Sequence, residues 1–283
     1  ARSKIARFFA PRTVSDRYRQ LMEGYADEIV AEMEHRRNVV LDPYAMQYSV
    51  LVAAQVLGLT NSNIRGMARR LNRFFSHPPY DVTKPAGGRS RFQVIQQAIT
   101  GSVPTFLFMF LDVRPAVRAR RKARQEDVIS HLIDEGYTLP EILTECITFG
   151  AAGMVTTREF IAATLWHFLT DDALRTRYLA AEEPERFEIL HEILRLEPVV
   201  GHLYRRVTTD AVVDGPDGPV TIKAGELIDI SVRQANTDPD AVGADPDAVC
   251  PGRPIAKGFR EEVMSFGDGA HRCPGNSLAI QET

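Results

Sequence analysis

The stretch Phe266-Gly267-Asp268-Gly269-Ala270-His271-Arg272-Cys273-Pro274-Gly275 sets one cysteine and one histidine among three glycines, just ahead of an apolar run. Glycine lets a backbone turn tightly and pass close to a flat partner. A cysteine held in such a loop, before a helix, is set up to offer a thiolate, the form that binds metals. Taken alone, most loops of this kind are glycine-rich turns around a structural cysteine, and the other segments have to overturn that reading. A second group is Gly150-Ala151-Ala152-Gly153-Met154-Val155-Thr156-Thr157, poor in bulk inside a helical pattern. Each glycine there costs about 1 kcal/mol relative to alanine, so it needs a packing or functional reason. Ala152 and Thr156 are four apart and share a face with Phe149, Gly153 and Phe160. A flat ligand could press on that face while Thr156 offers a hydroxyl. Close helix packing, with the threonine bonded back to its own turn, is the alternative. Glu192 and Arg195 lie three apart on one helix face, a spacing that on a surface helix gives only a weak ion pair. Cys250, His271 and Cys273 lack the paired spacing of a zinc module.

These residues need elements to place them. The first half of the chain is helical in pattern. Leu21, Tyr25, Ile29 and Met33 recur at helical spacing between Val14 and His35. Asp42-Pro43 opens a helix that Gly58 stops, and Asn63 to Phe75 forms another. His77-Pro78-Pro79 and Lys84-Pro85-Ala86-Gly87-Gly88 are loop sequence. Phe92 to Leu111 is an apolar helix interrupted by Gly101 and Pro104, and Pro115 to Glu135 carries a basic, solvated face. Thr138-Leu139-Pro140-Glu141 is a capping box. The helix it opens runs to Thr170, roughly 45 Å at 1.5 Å per residue, long enough to cross a whole core. Glu185 to Leu196 is helical. Strands follow at Val199 to Tyr204, Ala211 to Val213, Val220 to Ile222 and Leu227 to Val232. Gln234 to Gly258 is irregular and leads into the cysteine loop.

Composition narrows the class. With 283 residues, of which 44% are hydrophobic, the chain can bury a sizeable core. A net charge of -3 leaves no basic surplus for nucleic acid. No apolar run approaches the roughly 20 residues of a membrane helix. Three scattered cysteines point to a reduced, cytoplasmic setting rather than a disulfide framework. Both ends read as cut, because the chain starts without methionine and stops inside a helical pattern.

Four features in this order resemble the cytochrome P-450 family of haem-thiolate monooxygenases. They are the small-residue centre of a long helix with paired threonines, Glu-x-x-Arg, Asn-x-Asp-Pro, and Phe-Gly-x-Gly-x-His-x-Cys-x-Gly. The resemblance covers essentially residues 1–283, read as a single domain that lacks the family's N-terminal and C-terminal segments. It implies a mainly α fold with small β-sheets and a long central helix over haem b. Cys273 is then the proximal thiolate, which pushes electron density through iron and favours O–O cleavage. Phe266 covers the thiolate side, and Gly267, Gly269 and Gly275 let backbone pass close to the porphyrin. Ala152 and Gly153 face the ring from the long helix. His271, Arg205 and Arg2 match donors to the haem propionates, with Arg206 competing for the role of Arg205. Glu192, Arg195 and Arg253 match a structural triad. Phe149, Val199, Val200 and Leu203 match positions that line the substrate pocket.

The resemblance also implies a small apolar substrate and a ferredoxin or flavoprotein as electron donor. One position departs from the family pattern. Val155 stands where an acid precedes the first threonine. Thr156 is retained as the catalytic hydroxyl, and Glu159 lies on another face of the helix. Hydroxylation using O₂ is therefore the expected activity. A peroxide-using or non-monooxygenase haem-thiolate enzyme, or an inactive haem-binding fragment, is the alternative.

Overall fold

The computed structural model of the chain describes residues 2–75, 84, 90–215 and 217–283. It is rich in helices with small antiparallel sheets, as the sequence implied. The single domain expected from the sequence is described here as two compact units. One comprises Ala1–Trp166 with Pro274–Thr283, and the other His167–Cys273.

The first unit is all helical among its described residues. Its core gathers Phe8, Val14, Met22, Val50, Leu57, Met67, Ile129, Ile142, Met154 and Leu278. The Asp42–Leu57 helix starts on Asp42-Pro43 and ends at Gly58, whose φ of 90° is the left-handed conformation that glycine adopts without strain. The expected loops at 77–79 and 85–88 lie outside the described residues. The basic stretch after Pro115 divides into helices Arg114–Lys122 and Val128–Asp134. It is not wholly a solvated face. Arg120 is buried in an ion pair with Asp127 and donates to Thr60 Oγ1 at 2.9 Å and Asn61 Oδ1 at 3.1 Å. Burial of a charge requires such pairing.

The long helix opens at Leu139, with the Glu141 carboxylate accepting from the Thr138 N–H at 2.7 Å and hydroxyl at 2.6 Å. It continues through α-helical Leu139–Glu145, a π-helical segment at Cys146–Ala151, and α-helical Ala152–Thr170. The span matches the expectation, whereas the π segment breaks its regular period. A π segment re-phases the side chains on either side of it and recurs at functional sites.

The second unit carries helices Asp172–Ala180 and Glu183–Leu196 and four strands: β1 (His202–Arg206), β2 (Ala211–Gly215), β3 (Gly218–Ile222) and β4 (Leu227–Ser231). β1 pairs antiparallel with β4, and β2 with β3. β1 begins at His202 rather than at Val199. Its partner strand ends at Ser231 opposite His202, because the chain turns into helix Val232–Asn236. Val199 and Val200 thus precede the strand.

Candidate functional site

The cysteine loop is fixed by its own backbone. Cys273 N–H donates to Phe266 O at 2.8 Å, Gly267 N–H to Met264 O at 2.8 Å, and Arg272 N–H to Gly269 O at 3.2 Å. Gly267 and Gly269 adopt φ of 66° and 64°, which side-chain-bearing residues reach only with strain. A Cβ at either would meet nothing within 4 Å, so both glycines face open space. Cys273 is partly exposed and in no disulfide. Phe266 is half-buried and His271 exposed. The loop is tied down from one side by Arg272, which donates to buried Glu262 at 2.8 Å.

Behind the loop lies a buried ion network. Arg195, fully buried, sends Nε to Glu192 Oε2 at 2.7 Å and Nη2 to Oε1 at 2.8 Å, a two-pronged fork. Arg253 Nε donates to the same Oε1 at 3.2 Å, and the Cys250 N–H also donates to it at 2.9 Å. The remaining guanidinium N–H groups hold the irregular segment by its carbonyls. Arg195 donates to Asn236 O, Pro246 O and Ala248 O, and Arg253 to Val242 O, Ala244 O, Asp245 O and Ala248 O. Burial pushes the Glu192 carboxyl up. The hydrogen bonds from Arg195, Cys250 and Arg253 and the Arg195 charge outweigh it and leave the group below the usual carboxylate range.

Two residues whose roles the sequence reading missed connect this network to the loop. Asn236, fully buried, donates to Arg195 O at 2.9 Å and Ser265 Oγ at 2.8 Å, and accepts from Met264 N–H at 2.8 Å. Ser265 in turn donates to Leu194 O at 2.8 Å. Asn236 opens the Asn-x-Asp-Pro motif, so its type was visible. Its partner 29 residues away was not.

Strand alternation sorts the two arginines of β1. Leu203 and Arg205 share one face of the strand, whereas His202, Tyr204 and Arg206 share the other. Arg206 is spent on Gly225 O at 2.7 Å. Arg205 is exposed and, among the described residues, bonds its neighbour's carbonyl alone, Tyr204 O, at 2.9 Å. Leu203 is half-buried and Val200 exposed. Arg2 lies in the short helix Arg2–Ile5, and its side chain is outside the described residues.

In the first unit, the small-residue centre of the long helix divides in two. Gly150 is buried, and a Cβ there would meet Leu57 Cδ1 at 3.0 Å, so close packing accounts for it. A Cβ on Gly153 would meet nothing within 4 Å, and Ala152 beside it is exposed. The Thr156 hydroxyl donates to Ala152 O at 2.5 Å, the local back-bond, which leaves its oxygen lone pairs to accept. Val155 packs on the hydrophobic core, as does Phe149, which stacks on Phe9 with centroids 5.7 Å apart. Glu159 is exposed and paired with Arg158.

The sequence model of the cytochrome P-450 family matches residues 188–283. Cytochrome P-450(BM-1) of Priestia megaterium is 25% identical over 287 aligned positions, covering all of this chain and 65% of that protein. Cytochrome P-450 105C1 of a Streptomyces species is 28% identical over 98% of this chain and 67% of that protein. The chain thus matches the cytochrome P-450 family over its last third and is similar to members of that family along its length. It spans about two thirds of the length of these relatives. The crystal structure of P-450BioI with hexadec-9Z-enoic acid ligated to an acyl carrier protein superposes with a TM-score of 0.79 at 22% identity, covering 99% of this chain and 68% of that one. It has the cytochrome P-450 fold. Proteins of this family bind haem b, and each unit taken by itself fits that group. The second unit offers a thiol in a glycine loop with open space over two glycines, and the first a helix face open at Gly153. Among the described residues no cluster of His, Cys, Asp and Glu is arranged to hold a separate metal ion, and no helix is long and apolar enough to cross a membrane.

Proposed function

We propose that the chain is the haem-carrying portion of a monooxygenase that hydroxylates a small apolar molecule. The observation that carries this reading is the cysteine loop, closed by the Cys273 N–H to Phe266 O bond and backed by a fully hydrogen-bonded Glu192–Arg195–Arg253 network. When bound, haem supplies the activation of O₂, with two electrons and two protons consumed as one oxygen atom enters the substrate and the other leaves as water. Cys273 holds the iron as a thiolate. Gly267 and Gly269 admit the ring, and Arg205 offers a positive charge and His271 a ring N–H to its carboxylates. Ala152 and Gly153 leave room on the long helix, and Thr156 offers an oxygen that accepts one hydrogen bond while its own proton rests on Ala152 O. Electrons come from a ferredoxin or flavoprotein.

A second reading changes the oxidant. Val155 is packed on the core and Glu159 is engaged by Arg158, so neither puts a carboxyl on the Ala152–Thr156 face. Proton delivery then falls to water or substrate, and peroxide becomes a competent oxygen donor. The tethered acyl chain of P-450BioI adds a substrate form to both readings, an acyl group delivered on a carrier protein.

The reduced, CO-treated full-length protein should give the red-shifted Soret band of a thiolate-bound haem, and Cys273→Ser should abolish that band. A band of the histidine-ligated type in the wild type would overturn the assignment. Turnover with O₂ and an electron donor, set against turnover with peroxide, separates the two readings.

A further inference from the structure

The basic helix after Pro115 is not used by the haem chemistry. Helix Arg114–Lys122 has the sequence RPAVRARRK and contains no acidic residue. Ala116, Val117 and Arg120 are buried on one side. Arg114, Arg118, Arg121 and Lys122 fall on the opposite side at spacings of three and four. Arg118, Arg121 and Lys122 are exposed, and none of the four has a carboxylate partner among the described residues. The other arginines nearby are neutralised: Arg120 by Asp127, Arg124 by Asp134 at 2.7 Å, and Arg70 by Asp112. The stripe also has an apolar end. Arg114 lies over the Phe110 ring at 5.5 Å, and Phe110 pairs with Phe106 at 5.0 Å. Phe106 and Phe110 are 66% and 43% exposed.

We infer that this stripe is a docking surface for an acyl carrier protein, which seats a carboxylate-rich helix on the four cations with an apolar side chain at Phe110. The inference rests on the carrier-tethered substrate form proposed above. Four like charges on about two helical turns raise a field that extends about 8 Å at physiological salt and steers an acidic partner. The chain's net charge of -3 makes a basic strip of this size a local feature and not a reflection of composition. An anionic lipid surface would meet the same charges, and the test separates it from the carrier.

Binding is measured on the full-length, haem-loaded protein with an acyl carrier protein carrying hexadec-9Z-enoic acid, at low and high salt. Arg118→Glu/Arg121→Glu/Lys122→Glu should weaken binding by roughly tenfold or more, and salt should weaken the wild type in parallel. Arg37→Glu, an exposed charge on another surface, should leave affinity unchanged. The unfolding midpoint and the CO band of each variant report folding and haem binding separately. A missing CO band therefore counts against the haem reading and not against docking. If the triple variant unfolds, Arg118→Ala with the same salt series replaces it. No carrier binding by the wild type, equal binding by the triple variant, or triple-sensitive binding only to phosphatidylglycerol vesicles would overturn the proposal.

Discussion

Glu192 accepts from two nitrogens of Arg195, from Arg253 and from the Cys250 N–H, so its carboxylate is held in the charged form. Glu192→Gln keeps the shape but leaves two buried guanidinium groups short of a counter-charge. The expected loss is about 3–5 kcal/mol in denaturant unfolding, as for other broken buried pairs. The pH dependence has a definite sign. A carboxyl whose folded pKa is depressed contributes stability that is complete above its unfolded pKa and is lost as pH falls through the folded one. The wild type should therefore lose stability on the acid side over a range that Glu192→Gln does not show. Thr156→Val removes a hydroxyl whose proton is bonded only to its own turn, so stability should change little. Coupling of electron use to product should fall several-fold, and an unchanged ratio would deny Thr156 its catalytic role. Val155→Asp meets the core instead of open space. It should lower stability by about 1–3 kcal/mol, the cost of a buried polar group without a partner, unless coupling improves and shows that the carboxyl has turned to the ligand.

At the scale of elements, the two glycines of the long helix should part company. Gly150→Ala drives a methyl against Leu57 and should destabilise the protein by about 1 kcal/mol or more. Gly153→Ala meets open space and should stabilise the haem-free protein by up to about 1 kcal/mol through helix propensity, while lowering haem occupancy. Comparing unfolding midpoints with and without haem tests both. The sequence showed that the small residues needed a reason but not which reason applied to each, because Leu57 comes from a helix far back in the chain. The π segment at Cys146–Ala151 was equally hidden, since a periodic pattern read at 3.6 residues per turn has no place for an inserted residue. The cysteine loop was legible because its determinants are local: glycines at left-handed positions and a cysteine seven residues after Phe266. Asn236 and Ser265 were not, because a buried amide declares its partners only once the chain is folded. The start of β1 was misplaced for a similar reason, as its limit is set by where β4 ends.

Across the whole molecule, haem should act as a ligand that favours the folded state. A protein holding it at a thousandfold excess over Kd gains about 4 kcal/mol, so the unfolding midpoint should rise with added haem, and Cys273→Ser should lose most of that rise. The chain spans about two thirds of its relatives, so this comparison belongs to the full-length protein. The two arginines of the buried network carry one further consequence. Arg195 and Arg253 together grip backbone carbonyls at Asn236, Val242, Ala244, Asp245, Pro246 and Ala248, and a carbonyl is the same whichever side chain it belongs to. Apart from Gly243 and Asp245, whose φ values are 75° and 50°, the path from Val242 to Ala248 is thus written in its length and in two arginines outside it more than in its own side chains. Across a library of variants, the exposed positions Ala244, Asp247 and Ala248 should accept most substitutions, while removal of a single residue between Gly243 and Val249 should not be tolerated. A deletion shifts every later carbonyl out of reach of the forks, which a change of side chain does not do.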